Sequence, residues 1–269
     1  MRRIPRKSLA MAGALVVAVG VTGTAWADGA ADNTAQISAS VNPPVLPASG
    51  AAKKANLFSQ VTSYDSDNSP AIPDQAAEQV RIDFPNDMKY TVNSKLAKCD
   101  PTDVGGDTAS AVAACKQAVI GGGNAYARIP GIPTPNNEVE LTVTSFNGQT
   151  STAGGGFTGG FPTIILHADN ASLPTTVVIG EVRNSSAGAN FGRQLNVPDA
   201  PDVAGDLGAL VLFNSQVSKS WTNGKTGNKK KTYNLITSNC DAGNLDFQGT
   251  WVYDDASIDT DTVEQDCAN

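Results

Sequence analysis

The sequence predicts an all-β protein, an antiparallel β-sandwich with one short helix that is stabilised by two disulfides. Apolar and polar residues alternate in many short runs, and this period of two is typical of strands with one buried face. Glycine, proline, asparagine and aspartate separate the runs at short intervals, as in sandwiches built from many short strands. The third observation is an even number of cysteines, four in all, which can pair completely.

The strand pattern is clearest in residues 138–146 (EVELTVTSF). Val139, Leu141 and Val143 alternate with polar residues and should face one side of a strand. The same rhythm predicts further strands over residues 57–64, 78–84, 164–168, 175–183, 210–221, 231–240 and 247–253. Residues 221–233 carry Asn-Gly and Gly-Asn pairs between two alternating runs, which predicts a hairpin with a lysine-rich, solvated tip.

One helix is predicted, over residues 109–119 (ASAVAACKQAV). Asp107 or Thr108 can cap its start, because both side chains accept hydrogen bonds from the first free amides of a helix. Gly121 follows its end, where a left-handed residue commonly terminates a helix. We therefore interpret the triple glycine as a turn from this helix into a strand over residues 124–129.

The chain begins with the pattern of an export signal over residues 1–27. A basic start precedes an apolar stretch over residues 9–21, and Ala25-Trp26-Ala27 fits a cleavage site. Residues 28–54 are rich in Ala, Ser, Asn and Pro and are interpreted as a flexible leader, followed by a single β-sandwich domain over residues 55–269. No later stretch holds 18 consecutive apolar residues, so we expect a secreted protein without a membrane span.

The charge balance argues against nucleic acid as a partner. The full chain has a net charge of −7, and four of its 19 basic residues lie in the predicted signal, which leaves 15 against 26 acidic residues. Nucleic-acid binding requires a basic surface that neutralises phosphates. The run Lys229–231 is the one dense basic cluster in the sequence.

The cysteines are expected to form disulfides, because all four lie in the exported part and secretion exposes thiols to an oxidising compartment. Three pairings are available. Proximity in the chain favours Cys99 with Cys115 and Cys240 with Cys267, since shorter loops lose less entropy on closure. A metal site is the alternative, but it would favour close pairs of the C-x-x-C kind, which this sequence lacks.

Two further groups of residues are candidate binding sites. The acidic stretch near the C-terminus could hold calcium, the one candidate cofactor, through Asp254, Asp255, Asp259 and Asp261. We interpret this stretch as a solvated acidic loop and keep the calcium site as the alternative. Trp251 and Tyr253 share a strand face and could form an aromatic platform for sugar, although aromatic residues at alternate strand positions more often belong to the core.

Signals for catalysis are weak. His167 is the single histidine, and the G-x-S-x-G pattern of a serine nucleophile is absent, so a hydrogen-bonded or solvated histidine is expected. Glu138 and Glu140 share a strand face and could serve a glycosidase together with an aspartate elsewhere. The glycines of GGGNAY precede a strand rather than a helix, which argues against a nucleotide loop.

Several stretches resemble a group of exported β-rich proteins of high-GC Gram-positive bacteria that have no established activity. They are RIDFPNDMKYTVNSKLAKCDPTD, AACKQAVIGGGNAYARI, TSFNG with IILHAD, and KKKTYNLITSNCDAGNLDFQGTWVYDD. The chain departs from the group at Ala114 and Lys116, where a Cys-Pro pair is common. The resemblance implies a β-rich fold with the disulfides 99–115 and 240–267, and it implies no catalytic residue.

Together these observations lead us to expect a secreted or cell-surface protein of binding or structural type, whose partner is a cell-envelope component, a glycan or a protein. The alternative is a carbohydrate-acting enzyme or a carbohydrate-binding module.

Overall fold

A computed structural model describes residues 33–47, 51–65, 77–91, 96–129, 137–198, 200, 209–223, 231–241, 243–253 and 255–267. Strands dominate these residues, as the alternating pattern predicts. The strands in chain order are β1 (Asn33–Asn42), β2 (Lys53–Lys54), β3 (Asn56–Asp65), β4 (Ala77–Pro85), β5 (Met88–Tyr90), β6 (Val119–Arg128), β7 (Glu138–Thr150), β8 (Pro162–Asn170), β9 (Leu173–Asn184), β10 (Phe191–Val197), β11 (Ala209–Val217), β12 (Ser220–Asn223), β13 (Lys231–Asn234), β14 (Ile236–Ser238), β15 (Asn244–Tyr253) and β16 (Ile258–Asp266).

Eleven strands form one continuous sheet in the order β1-β3-β11-β6-β7-β8-β9-β10-β4-β15-β16. Every neighbouring pair in it is antiparallel. A hairpin of β12 and β13 and a small sheet of β2, β14 and β5 complete the strands. The all-β, antiparallel fold class is confirmed, and its opposed layers belong to one curled sheet.

The sheet curls until its first and last strands lie side by side. Because eleven is an odd number and all pairs are antiparallel, β1 and β16 run in the same direction. Their contact uses side chains of β16 on the backbone of β1: Asp259 accepts from the amide of Ala35 at 2.6 Å, and Asp261 from that of Ile37 at 2.8 Å. Gln265 accepts from the amide of Val41 and donates to its carbonyl.

The prediction of a flexible leader over residues 28–54 is wrong where the structure describes that segment. Residues 33–42 form β1, a full member of the large sheet, paired with β3 along its whole length. Small and branched side chains are buried at alternate positions: Ala35, Ile37, Ala39 and Val41. The predicted signal over residues 1–27 lies outside the described residues.

The inner face of the curled sheet encloses the main core, which includes the largest buried aromatic side chains. An apolar cavity of about 40 Å³ lies within it, between Leu57 on β3 and Phe84 on β4. A cavity of about 150 Å³ accommodates benzene, so this space is too small for a sugar or a lipid. The cavity is therefore part of a packed core.

The predicted helix is present as α1 (Thr108–Cys115) and is the one α-helix among the described residues. Asp107 caps it by accepting a bond from the amide of Ser110 at 2.7 Å. The helix packs on the outer side of β7 and β8, where Phe146 and Ile165 cover a second small core. Cys99 and Cys115 are paired there with a Cα–Cα distance of 5.5 Å.

The interpretation of the triple glycine as a helix end is wrong. The helix stops at Cys115, and Gly121, Gly122 and Gly123 lie inside β6 between β7 and β11. A Cβ atom at Gly121 or Gly123 would collide with a backbone carbonyl of β11, and one at Gly122 would stand 2.7 Å from the carbonyl of Val143. The glycines therefore allow close approach between strands.

The acidic C-terminal stretch, interpreted as a solvated loop, contains β16, which pairs with β15 over nine positions. Cys267 follows this strand and is bonded to Cys240, with a Cα–Cα distance of 6.5 Å. Both expected cysteine pairs are thus confirmed. No helix within the described residues is long and apolar enough to cross a membrane.

Candidate functional site

A buried polar network lies on the outer side of β4, β9 and β10. We define this polar network by five side chains, Asp83, Glu181, Arg183, Gln194 and Asn196. Four of them are 0–2% exposed, and Arg183 is half-buried. Burying polar groups costs free energy unless they find partners. These side chains are therefore expected to bond to one another and to neighbouring groups.

Strand register brings the network together. Gln194 stands opposite Arg183 on one side and Asp83 on the other, and Asn196 stands between Glu181 and Arg81. Residues two apart on a strand share a face. The polar positions of β4, β9 and β10 consequently form two adjacent rows, while Ile82, Val182 and Leu195 point into the main core.

Glu181 ties the network to the glycine-rich loop over residues 151–161. Its carboxylate accepts hydrogen bonds from the amides of Thr158 at 3.0 Å and Gly159 at 2.9 Å. Burial disfavours its charge, but the Ser151 hydroxyl, these two amides and the charge of Arg183 together outweigh that effect. The pKa of the Glu181 carboxyl is therefore lowered, and the group is ionised at neutral pH.

Within the described part of the chain, Arg183 donates to neutral oxygen atoms. Its partners are Gln194 Oε1 at 2.9 Å, Asn196 Oδ1 at 3.1 Å and Thr158 Oγ1 at 3.0 Å. Asp83 accepts from Gln194 Nε2 at 3.0 Å and from the Ser185 hydroxyl at 2.5 Å. Among the described residues, neither Arg183 nor Arg81 has a carboxylate oxygen within 4.0 Å, so neither guanidinium forms a salt bridge there.

Asn196 is fully buried and only half satisfied. Its Oδ1 accepts from Arg183 Nη2 and from Gln79 Nε2 at 2.9 Å, which fixes the orientation of the amide. Its Nδ2 has no hydrogen-bond partner. Arg81 binds Gln79 Oε1 through Nη2 at 2.8 Å and Nε at 3.2 Å. Gln79 and Arg81 are half-buried and thus form the solvent side of the network.

The network continues into an exposed sheet surface, which we call the open face. Register extends the row of Asn196 and Arg81 to Thr250 and Thr260, so the row crosses four adjacent strands and is about 14 Å long. Ile258, at the border of this face, is 64% exposed. The open face comprises Gln79, Arg81, Gln248, Thr250, Ile258, Thr260 and Thr262.

The aromatic platform suggested by the sequence does not form. Trp251 and Tyr253 are 1% and 2% exposed and belong to the main core. They alternate with Thr250 and Val252, so the pleat of β15 directs the aromatic rings inward. Burial also raises the pKa of the Tyr253 hydroxyl.

The candidate calcium ligands bind different parts of the protein, in and around the hairpin of β15 and β16. Asp259 and Asp261 bind the backbone of β1, and Asp255 accepts from the amide of Ser257 in the turn. Asp254 lies outside the described residues. Within the described ranges, no three His, Cys, Asp or Glu side chains are placed to hold a metal ion.

The candidate catalytic residues are engaged in the fold. His167 is fully buried, and its Nε2 lies 2.8 Å from the carbonyl oxygen of Gly106. Glu138 is exposed and forms an ion pair of 3.2 Å with Arg128. Glu140 accepts hydrogen bonds from Asn124 and Tyr126. The carboxylates suggested for a glycosidase therefore lie on an exposed strand surface and bond to the neighbouring strand.

Sequence reasoning missed the polar network and the open face. The signal that could have indicated them is alternation of charged or amide residues in EQVRIDF, GEVRN and GRQLN. Only strand order shows that these three segments are neighbours. No family model, no curated protein and no solved structure matches this chain.

Proposed function

We propose that this chain is an exported binding protein of the cell envelope whose open face holds a polyhydroxylated ligand, a glycan. The observation that carries the proposal is the row of Arg81, Thr250 and Thr260 across neighbouring strands, backed by the buried polar network. Glutamine and threonine side chains both donate and accept hydrogen bonds, which suits hydroxyl groups. The exposed Ile258 adds an apolar contact at the border.

The engagement of the acidic groups favours binding over catalysis. A glycosidase needs one carboxyl that gives up a proton and a second that attacks or activates water. Glu181 holds loop amides, and Asp83 holds Gln194 and Ser185. Both carboxylates are buried and already hold neighbouring protein groups. These carboxylates are better suited to shaping a rigid surface than to proton transfer.

Export is supported by the two disulfides, which are compatible with an oxidising compartment. It is also supported by the basic and apolar N-terminal pattern of the sequence. Export would bring the protein into contact with the cell envelope, and we therefore propose a cell-envelope component as its partner. The proposal thus assigns the carbohydrate-binding function to the open face.

The test is a thermal melt of the oxidised full chain with a panel of cell-wall and plant glycans, followed by calorimetric titration of any positive glycan. A ligand at 100 times its dissociation constant should stabilise the fold by about 2.7 kcal/mol. For a domain of this size the melting temperature should then rise by about 5 to 10 °C. A panel without any shift would contradict the proposal.

Two tryptophan substitutions locate the site. Thr260→Trp places a bulky ring on the open face and should weaken binding at least tenfold. Thr142→Trp is the matched control, because Thr142 is also exposed on a strand but lies on β7, far from β16 in the sheet order. Equal affinity of both variants would place the ligand elsewhere.

A further inference from the structure

We propose that the glycan recognised by the open face is acidic, and that Arg81 and Asn196 bind its carboxylate. This inference rests on the proposed function, and it specifies the class of sugar. The two residues stand directly opposite each other on β4 and β10. Their side-chain attachment points are consequently about 5 Å apart, close enough to bind one carboxylate together.

The first reason is the state of Arg81. Its guanidinium donates through Nε and Nη2 to a single neutral oxygen atom, Gln79 Oε1. No described carboxylate oxygen lies within the 4.0 Å of a salt bridge. Guanidinium groups bind planar carboxylates through two parallel hydrogen bonds, and such charge-assisted bonds are about twice as strong as neutral ones. Arg81 can form these two parallel bonds to a ligand carboxylate if it releases Gln79 Oε1.

The second reason is the missing partner of Asn196. A buried donor without a partner is destabilising, and Asn196 Nδ2 is such a donor at a fully buried residue. Its Oδ1 is occupied by Arg183 and Gln79, so the free end of the amide requires an acceptor. An oxygen atom of a ligand carboxylate would satisfy both Nδ2 and the guanidinium of Arg81.

Access to Asn196 follows from the hydrogen-bond order. Arg81 binds Gln79, and Gln79 donates to Asn196 Oδ1, so the buried amide is joined to two half-buried side chains. When Arg81 turns toward a carboxylate, its bonds to Gln79 are released. Neither Glu181 nor Asp83 accepts a hydrogen bond from Asn196 Nδ2, which has no partner among the described residues.

The experiment compares oligogalacturonate, a uronic-acid oligosaccharide, with its methyl ester by calorimetric titration of the full chain. The ester keeps the hydroxyl groups and the size of the sugar and removes its negative charge. We expect the acid form to bind at least tenfold more tightly. A muramic-acid glycan, which carries its carboxylate on a lactyl group, serves as a second acidic probe that identifies the source of the carboxylate.

Two variants test the residues. Arg81→Gln removes the charge, and Asn196→Asp keeps the acceptor for Arg183 and Gln79 while replacing the free donor by an oxygen atom. Both should lower the affinity for the acid form to about that for the ester, and the affinity for the ester should fall much less. Arg193→Gln is the matched control, because Arg193 lies on β10 like Asn196 but donates to Asn184 Oδ1 at 2.6 Å. The affinity of this variant for the acid form should be unchanged.

The outcomes separate the two proposals. Equal affinity for acid and ester overturns the carboxylate assignment and leaves the open face as a glycan site. An equal loss of both forms in Arg81→Gln also overturns the assignment, since it would show a general effect of that residue. Failure of all acidic and neutral sugars to bind overturns this inference and the proposed function together. Circular dichroism and melting curves show whether each variant is folded.

Discussion

The carboxylate of Asp261 on the last strand accepts a 2.8 Å hydrogen bond from the backbone amide of Ile37 on the first strand. Asp259 and Gln265 repeat this contact at Ala35 and Val41. An unpaired strand edge offers its free amides to other chains, and proteins commonly protect such edges. In this protein, acceptor side chains of a parallel neighbour provide that protection.

Removing these acceptors should loosen β1. Asp261→Ala and Asp259→Ala each delete a charge-assisted bond, so we expect each to lower the free energy of unfolding by about 1.5–3 kcal/mol. Thr262→Ala, on the exposed face of β16, is the control and should have little effect. Hydrogen exchange supplies the local readout, since the amide of Ile37 should lose protection in Asp261→Ala. Unchanged protection at Ile37 would argue that its bond to Asp261 is unimportant.

Alanine in the triple glycine should destabilise the sheet. In Gly123→Ala the new Cβ would collide with the backbone carbonyl of Asn214, which cannot move aside without disturbing β11. Overpacking of this kind costs about 1–3 kcal/mol. Gly105→Ala is the matched control, because its Cβ would meet no atom within 4 Å and its φ of −77° suits alanine. Chemical denaturation of both variants measures the difference, and equal stabilities would contradict the close approach of the strands.

The two disulfides should stabilise to similar degrees but protect different regions. Chain entropy gives about 3 kcal/mol for a loop of 16 residues and about 3.5 kcal/mol for one of 27. The double variant Cys240→Ser/Cys267→Ser releases the end of β16, so exchange should increase in β1 as well. Cys99→Ser/Cys115→Ser should affect mainly α1 and its small core. Identical exchange maps for the two variants would refute this division.

Acid should weaken the attachment of the loop over residues 151–161. The folded pKa of Glu181 is lowered, so its stabilising contribution is fully present above its unfolded pKa of about 4.3 and is lost as the pH falls through the lower, folded value. Glu181→Gln should therefore be less stable than the parent at neutral pH, and the difference should shrink below about pH 4. Melting curves at several pH values measure it, with Glu264→Gln as the control for loss of one exposed charge. A difference that is independent of pH would contradict ionisation of Glu181 as the cause.

Local sequence signals predicted several individual strands and the helix. They did not predict elements whose buried positions depend on distant strands. Strict alternation in residues 138–146 identified β7, and Asp107 identified the start of α1, because both signals act within a few residues. β1 was missed because alanine occupies two of its four buried positions, Ala35 and Ala39, which weakens the apolar alternation. β16 was missed because its inward positions include Asp259, Asp261 and Gln265, whose buried role depends on a strand 224 residues away.

The candidate site was unpredictable for a related reason. Each of Arg81, Glu181 and Asn196 alone is typical of the solvated side of a strand. They become neighbours only through the strand order β9-β10-β4. Because β4 precedes β9 and β10 by about a hundred residues in the chain, no local pattern shows this proximity. Trp251 and Tyr253 show the converse, since their alternation predicted a shared face correctly but could not say which face is inside.

The pairing of the first strand with the last also sets an order of events during synthesis. The contacts between β1 and β16 join residues 224 positions apart, and a ribosome makes the chain from its N-terminus. At about 5–20 residues per second, tens of seconds or less separate the appearance of Ile37 from that of Asp261. Throughout that interval the amides of β1 that face β16 have no partner from their own chain. Until the final strand emerges, this edge of β1 is open to pairing with other chains.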